Sequence, residues 1–155
     1  MRFLIRDMSQ DDALAVAAWR YEAPYDVYDF GENPQDLAEL MDPTRREGVW
    51  FAVDDADGGT LVGFGEFKVG DDQVEIGLGL RPDLTGGGLG PLFTEALMDF
   101  ARERWHPARF WLDVLPWNER AMRAYERVGF VRGEVYTRRF DDGAESEFRR
   151  MEREA

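Results

Sequence analysis

The chain is 155 residues long, 44% apolar and 14% aromatic, so it has the length and composition to bury a core and is not a disordered polypeptide. Its 32 acidic residues against 19 basic ones give a net charge of −13, which repels phosphate backbones and anionic lipid and disfavours both as partners. Cysteine is absent and His106 is the sole histidine, which excludes disulfides, thiolate catalysis and cysteine-ligated zinc and disfavours Ser-His-Asp chemistry.

In chain order, residues 1–6 read as a short strand. Ser9-Gln10-Asp11-Asp12 supplies an N-cap with an acidic residue three positions on, opening a helix to about Trp19. Asn33-Pro34 starts a second helix with Leu37, Leu40 and Met41 on one face, and Pro43 lies beyond its end. Apolar runs at 49–53 and 61–69 flank Asp54-Asp55-Ala56-Asp57-Gly58-Gly59, a hairpin signal, and Gly70-Asp71-Asp72 turns the chain into residues 74–80. A three-stranded antiparallel meander is expected. After Pro82 and Gly86-Gly87-Gly88, the residues Leu89, Leu92, Phe93, Ala96, Leu97, Phe100 and Ala101 recur at helical spacing, and Pro107 ends the run. Residues 110–115 form a strand, Asn118 caps a helix to about Val128, and Gly129 stops it. Residues 130–140 and 146–152 make a last hairpin around Asp141-Asp142-Gly143. No linker or repeat interrupts this order, so residues 1–155 are expected to form one α+β domain. Its single sheet is mixed, mostly antiparallel and flanked by helices, with a right-handed parallel crossover over residues 74–115. No basic stretch followed by an apolar run opens the chain, and no apolar run approaches the ~20 residues that span a bilayer, so a cytoplasmic location is expected.

The segment Leu80-Arg81-Pro82-Asp83-Leu84-Thr85-Gly86-Gly87-Gly88-Leu89-Gly90-Pro91 lies between a strand and a helix. Glycines there let the backbone approach a ligand, and free amides at a helix N-terminus favour an anion such as pyrophosphate. Pro91 fits the first helical turn. The ordinary alternative is a turn whose glycines only permit chain reversal. A nucleoside-triphosphate loop is excluded, because no lysine is present in the segment. The dinucleotide fingerprint fits poorly: starting at Gly88 it places Phe93 where the third glycine belongs, and a meander precedes the loop.

Two motifs carry a family resemblance. Residues 85–90 and the helix after them resemble the acyl-CoA pyrophosphate loop of the GNAT superfamily of N-acetyltransferases, commonly Gln/Arg-x-x-Gly-x-Gly/Ala. Gly88 and Gly90 match, and Thr85 replaces the first residue. Asn118-Glu119-Arg120-Ala121-Met122-Arg123-Ala124-Tyr125-Glu126-Arg127-Val128-Gly129-Phe130 is similar to the family's Asn-x-x-Ala-x-x-x-Tyr-x-x-x-Gly-Phe segment. The resemblance covers residues 48–140 well and the N-terminal helices in outline. It implies a sheet splayed around the pantetheine arm of acetyl-CoA, a cosubstrate needing no metal. The backbone at Leu78 and Leu80 would pair with that arm. The amides of Gly86, Gly87, Gly88, Leu89 and Gly90 would hold the pyrophosphate, with Thr85 beside them and Asn118 near the opening. Many relatives pair sheet edges between subunits, so a homodimer formed by residues 131–152 is an expectation by analogy.

Amine acetylation sets its own requirements. An alkylammonium has a pKa near ~10.4, so a base or a water path must take a proton before attack. The departing thiolate needs a proton, and a tyrosine hydroxyl can give one. Tyr125, on one helix face with Met122 and Asn118, is the candidate acid, and a packed core tyrosine is the alternative. Glu75, where some relatives carry a glutamate, is the candidate base; Asp113 on the neighbouring strand or water would substitute, and an ordinary ion pair is the alternative. His106 is expected to complement a helix C-terminus. Between the first two strands lie Trp19, Tyr21, Glu22, Tyr25, Asp26, Tyr28, Asp29, Phe30 and Glu32, rings and carboxylates that suit a cationic or amine-bearing acceptor, small molecule or peptide. A plain core with surface acids accounts for them equally. Three functions stand: an acetyl-CoA-dependent N-acetyltransferase, a non-catalytic acyl-CoA-binding module of the same fold, and, disfavoured, a dinucleotide-dependent oxidoreductase.

Overall fold

The structure, a computed structural model, describes all residues from 1 to 155. Its elements are β1 (Phe3–Asp7), α1 (Gln10–Ala17), α2 (Pro34–Met41), α3 (Pro43–Arg46), β2 (Trp50–Asp55), β3 (Leu61–Val69) and β4 (Gln73–Leu80). They continue as α4 (Gly90–Trp105), β5 (Arg109–Val114), α5 (Glu119–Arg127), β6 (Val131–Arg139) and β7 (Glu145–Glu154). Short 3-10 turns at Tyr25–Tyr28, Phe30–Glu32 and Pro82–Leu84 fill connections that the sequence leaves as loop. The capping box forms as read: Ser9 Oγ accepts from the Asp12 amide, and Asp12 Oδ2 accepts from the Ser9 amide.

Seven strands form one mixed sheet in the order β1-β2-β3-β4-β5-β7-β6. The pairs β1–β2, β2–β3, β5–β7 and β6–β7 are antiparallel, and β4–β5 is parallel, as the crossover requires. The last hairpin closes as expected, but its second strand lies inside its first. β7 is seated between β5 and β6, which local turn chemistry does not encode. The β4–β5 ladder is short: it pairs Gln73, Val74 and Glu75 with Arg109, Phe110 and Trp111, while the strands run on to Leu80 and Val114.

The chain divides into two compact units, residues 1–67 with 78–87, and residues 68–77 with 88–155. In the first, Ala13, Val16, Leu40, Trp50 and Ala52 form a core with Met8 and Phe30, and Trp19, Leu37 and Phe64 pack against it. In the second, Phe110, Leu112 and Val114 of β5 are buried, as are Met122 of α5 and Met151 of β7. The buried stripe of α4 is Phe93, Thr94, Leu97, Met98 and Ala101. This corrects the expected face at Leu92, which is 58% exposed, because the stripe centres on the 93-97-101 row and Leu92 falls beside it. Strand alternation leaves Trp111 and Asp113 on the sheet face opposite Phe110, Leu112 and Val114.

Candidate active site

The segment between β4 and α4 is braced from within. Arg81 Nε donates to Asp83 Oδ1 (2.6 Å) and its Nη1 to the Leu61 carbonyl (2.9 Å). Thr85 Oγ1 donates to the Pro82 carbonyl (2.7 Å), so this hydroxyl serves the turn. Beyond it the amides of Gly86, Gly87, Gly88, Leu89 and Gly90 donate to no protein acceptor, and no side chain caps α4. Gly86 (φ 75°) and Gly88 (φ 84°) take left-handed backbone that a side chain would strain. A Cβ at Gly88 would enter open space, whereas one at Gly90 would sit 3.3 Å from Ala124 Cβ. Gly88 therefore serves the turn, and Gly90 lets α4 approach α5. The result is a run of unpaired amides at the positive end of a 16-residue helix, the arrangement that an anion completes.

β4 carries Leu78 and Leu80 just before this segment, both half-buried. The Leu80 carbonyl is already engaged, since the Tyr21 hydroxyl donates to it at 2.7 Å. Burial, with the Asp29 charge beside it, raises the Tyr21 hydroxyl far above the ordinary tyrosine range, so it stays a donor. Asp29 Oδ1 also accepts from the Tyr21 amide. Tyr21 thus ties the segment after α1 to the end of β4, a role the sequence reading did not assign.

α5 is fixed at both ends and along one side. Asn118 Oδ1 accepts from the Ala121 amide (3.1 Å), so its carbonyl oxygen works as the N-cap, and the residue is 6% exposed. Arg132 bridges to Glu119 and Glu126, and Arg153 Nη1 donates to the Val128 carbonyl (2.6 Å), which helix termination would otherwise leave open. Tyr125 is half-buried, with its ring edge-on to Phe130 at 6.1 Å. Its carbonyl accepts from the Val128 and Phe130 amides.

Glu75 does not stand alone. Its Oε2 accepts from Arg138 Nη1 (2.8 Å), and the same nitrogen donates to Asp113 Oδ2 (3.0 Å). The Tyr136 hydroxyl also donates to Asp113 Oδ2 and accepts from Arg150 Nη2 (3.0 Å). The Arg150 guanidinium lies 3.8 Å from the centre of the Trp111 ring and 5.0 Å from that of Tyr136. Burial opposes the Arg138 charge, but Glu75 and Asp113 outweigh it and hold this guanidinium protonated. Burial, then the bond to Asp113, pushes the Tyr136 hydroxyl above its ordinary value. Strands β4 to β7 thus assemble a connected polar network from two residues the sequence singled out, Glu75 and Asp113, and four it did not. The signal for those four was faint: alternation alone puts Trp111 with Asp113, but only the inserted β7 brings Arg150, Tyr136 and Arg138 to them.

The acetyltransferase (GNAT) domain family matches residues 2–131. The chain belongs to this family. The mycothiol acetyltransferase of Salinispora tropica is 31% identical to it over 147 residues, covering 78% of this chain and 46% of the relative, so the chain spans about half the length of that curated relative. The aminoglycoside acetyltransferase AAC(6')-Ib in complex with coenzyme A superposes with a TM-score of 0.76 at 23% identity, over 99% of this chain and 95% of that one. Mutant forms of the spermidine/spermine N-acetyltransferase SpeG from Vibrio cholerae give 0.69 at 20% identity, over 99% and 95%. At such identities the two structures speak to the fold.

Within this GNAT chain the segment between α1 and β2 divides its aromatic residues. Trp19 and Phe30 lie at the core, where Phe64 meets Trp19, Phe30 and Trp50 at 6.4, 5.8 and 5.5 Å between ring centres. Phe30, 7% exposed, is taken up by that core, while Trp19 packs against it and stays half-buried. Glu22, Asp26, Tyr28 and Glu32 remain exposed. His106 takes left-handed backbone (φ 49°) and ends α4, its backbone N–H donating a hydrogen bond to the Arg102 carbonyl. No set of three or more His, Asp or Glu side chains is grouped to hold a metal, and no helix is long and apolar enough to cross a membrane.

Proposed function

We propose that residues 1–155 act as one cytoplasmic N-acetyltransferase domain that moves the acetyl group of acetyl-CoA to a primary amine. The observation that carries this reading is the run of unpaired amides from Gly86 to Gly90 opening α4 in a member of the GNAT family. Acetyl-CoA supplies an activated thioester. The amides of Gly86, Gly87, Gly88, Leu89 and Gly90 hold its pyrophosphate, and the main chain at Leu78 and Leu80 lines its pantetheine arm. Thr85 and Asn118 serve indirectly, one bracing the turn and the other capping the helix that carries Tyr125. Glu75 takes the proton that the acceptor's ammonium must lose, and the Tyr125 hydroxyl gives one to the departing sulfur. The acceptor is cationic, small molecule or peptide: exposed Glu22, Asp26 and Glu32 support this, as do relatives named for aminoglycosides and spermidine. β6 ends the strand order and offers its outer edge to a second copy, a homodimer that gel filtration would detect.

Titration calorimetry with acetyl-CoA tests the cofactor site. Gly87→Trp is the variant of choice, since Gly87 is exposed, has no positive φ, and a Cβ there meets nothing nearer than 3.9 Å. Micromolar binding lost in this variant supports the reading; equal binding by both proteins overturns it. Tyr125→Phe should then lower kcat by about 10²-fold with little change in KM for acetyl-CoA. A second reading, acyl-CoA binding without turnover, draws support from the ion pair that occupies Glu75. It would be chosen by tight binding with no acetylation across an amine panel.

A further inference from the structure

Glu75 and Asp113 both stand as candidate bases, and their surroundings separate them. Asp113 is nearly sealed, with 4% of its side chain exposed, against 15% for Glu75. Asp113 Oδ2 accepts from both Arg138 and Tyr136, while its Oδ1 is buried with no donor, Arg150 Nε standing 3.8 Å away. The unused lone pairs of Oδ1 are sealed from an incoming ammonium. Glu75 engages Arg138 through Oε2 alone, and its Oε1 is neither bonded to a protein donor nor enclosed. Two carboxylates delivered side by side by β4 and β5 repel each other. Arg138 Nη1 lies between them, at 2.8 and 3.0 Å, and offsets that repulsion.

We propose that Arg138 is the positioning residue for Glu75, turning Oε2 inward and Oε1 toward the acceptor, and that Asp113 is the counter-charge that anchors Arg138 and not the proton acceptor. The inference rests on the acetyltransferase reading for its catalytic meaning. Its geometry stands on strands β4 to β7 alone. The charged and titratable groups that face Glu75 are Asp113 on β5, Tyr136 and Arg138 on β6, Arg150 on β7 and, on the other neighbouring strand, Lys68 of β3, which the Gly70–Gln73 turn sets across from it; the Arg109–Glu152 pair (2.8 Å) sits further along β5 and β7. Without Arg138, Glu75 faces the Asp113 charge with only the more distant Arg150 Nε (3.8 Å from Asp113 Oδ1) to offset it, and protonates at higher pH. Without the Asp113 charge, Arg138 serves Glu75 alone and keeps it ionised to lower pH.

Carboxyl carbon NMR titration of the free protein, with Glu75→Gln to assign the resonance, reads this directly. Arg138→Met should raise the Glu75 midpoint by at least about one pH unit, Arg138→Lys should restore most of it, and Asp113→Asn should lower it. An unchanged midpoint in Arg138→Met overturns the proposal. Should that variant not fold, Arg138→Gln decides on the same criterion, because it keeps a polar side chain of similar reach and removes only the cation; a midpoint equal to the native one overturns the proposal. In the acetylation assay, with spermidine and ribostamycin as probes, the acid limb of kcat/KM should move in the same directions. Full turnover by Glu75→Gln would overturn the assignment of Glu75. Absence of turnover in the native protein would count against the acetyltransferase reading while the NMR result still decides Arg138.

Discussion

Arg6 ties together three elements, two of them adjacent in sequence and the third 48 residues away. From β1 it donates Nη1 to Asp12 Oδ2 on α1 (2.6 Å) and Nε to Asp54 Oδ2 on β2 (2.7 Å). Asp12 was legible from sequence as the third residue of a capping box, because that motif is local. Its bond to Arg6, and the 48-residue link from Arg6 to Asp54, were not. The Arg6 hydrogen bond, opposed by burial and aided by Ser9, holds the Asp12 carboxyl at about 2. A carboxyl held below its unfolded value stabilises the fold above that value, and the contribution fades as pH falls toward the folded one. Asp12→Asn should therefore cost about 1–2 kcal/mol near pH 7, from the weakened cap and ion pair. Urea denaturation of both proteins should show that difference shrinking between about pH 4 and pH 2. A difference that stays constant with pH would mean the charge of Asp12 contributes nothing.

Among the elements, helices and the central meander were read from periodicity and turn residues, and the errors have local causes. α4 was placed well but its face was rotated, since Leu92 and Phe100 are apolar residues at half-exposed or exposed positions while Thr94 and Met98 are buried. Thr94 tolerates burial because its hydroxyl donates to the Gly90 carbonyl (2.8 Å). A glycine inside a strand weakens it unless close packing requires one, and Gly79 of β4 is such a case. A Cβ there would collide with the Phe64 ring on β3, with Cζ 2.7 Å away. Phe64 cannot yield freely, being enclosed by Trp19, Phe30 and Trp50. Gly79→Ala should thus destabilise the protein by about 1–3 kcal/mol, against the few tenths usual for a surface strand change. Its near-ultraviolet circular dichroism should change as the aromatic cluster shifts. A midpoint equal to that of the native protein would show that the ring moves aside at little cost.

For the whole molecule, the decisive feature absent from any local pattern is the insertion of β7 between β5 and β6. The sequence showed a hairpin at the right place, yet hairpin signals are silent on which strand faces the rest of the sheet. That choice brings Arg138, Tyr136 and Arg150 to Glu75 and Asp113, so the candidate base was named from sequence while its partners were not. Net charge, in contrast, is a property the sequence states outright, and it has kinetic consequences of different sign for the two proposed substrates. With 14 acidic and five basic residues in positions 1–60, among them exposed Glu22, Asp26 and Glu32, the field around the N-terminal segment attracts cations. Raising ionic strength from about 0.02 M to about 0.5 M shortens the screening length from roughly 20 Å to about 4 Å and removes that attraction. KM for a polyamine acceptor should therefore rise several-fold across this range. Acetyl-CoA is itself an anion approaching a protein of charge −13, so its KM should hold or fall over the same range. If both constants rise together, salt is weakening local contacts in the site and the acidic surface plays no part in drawing in the acceptor.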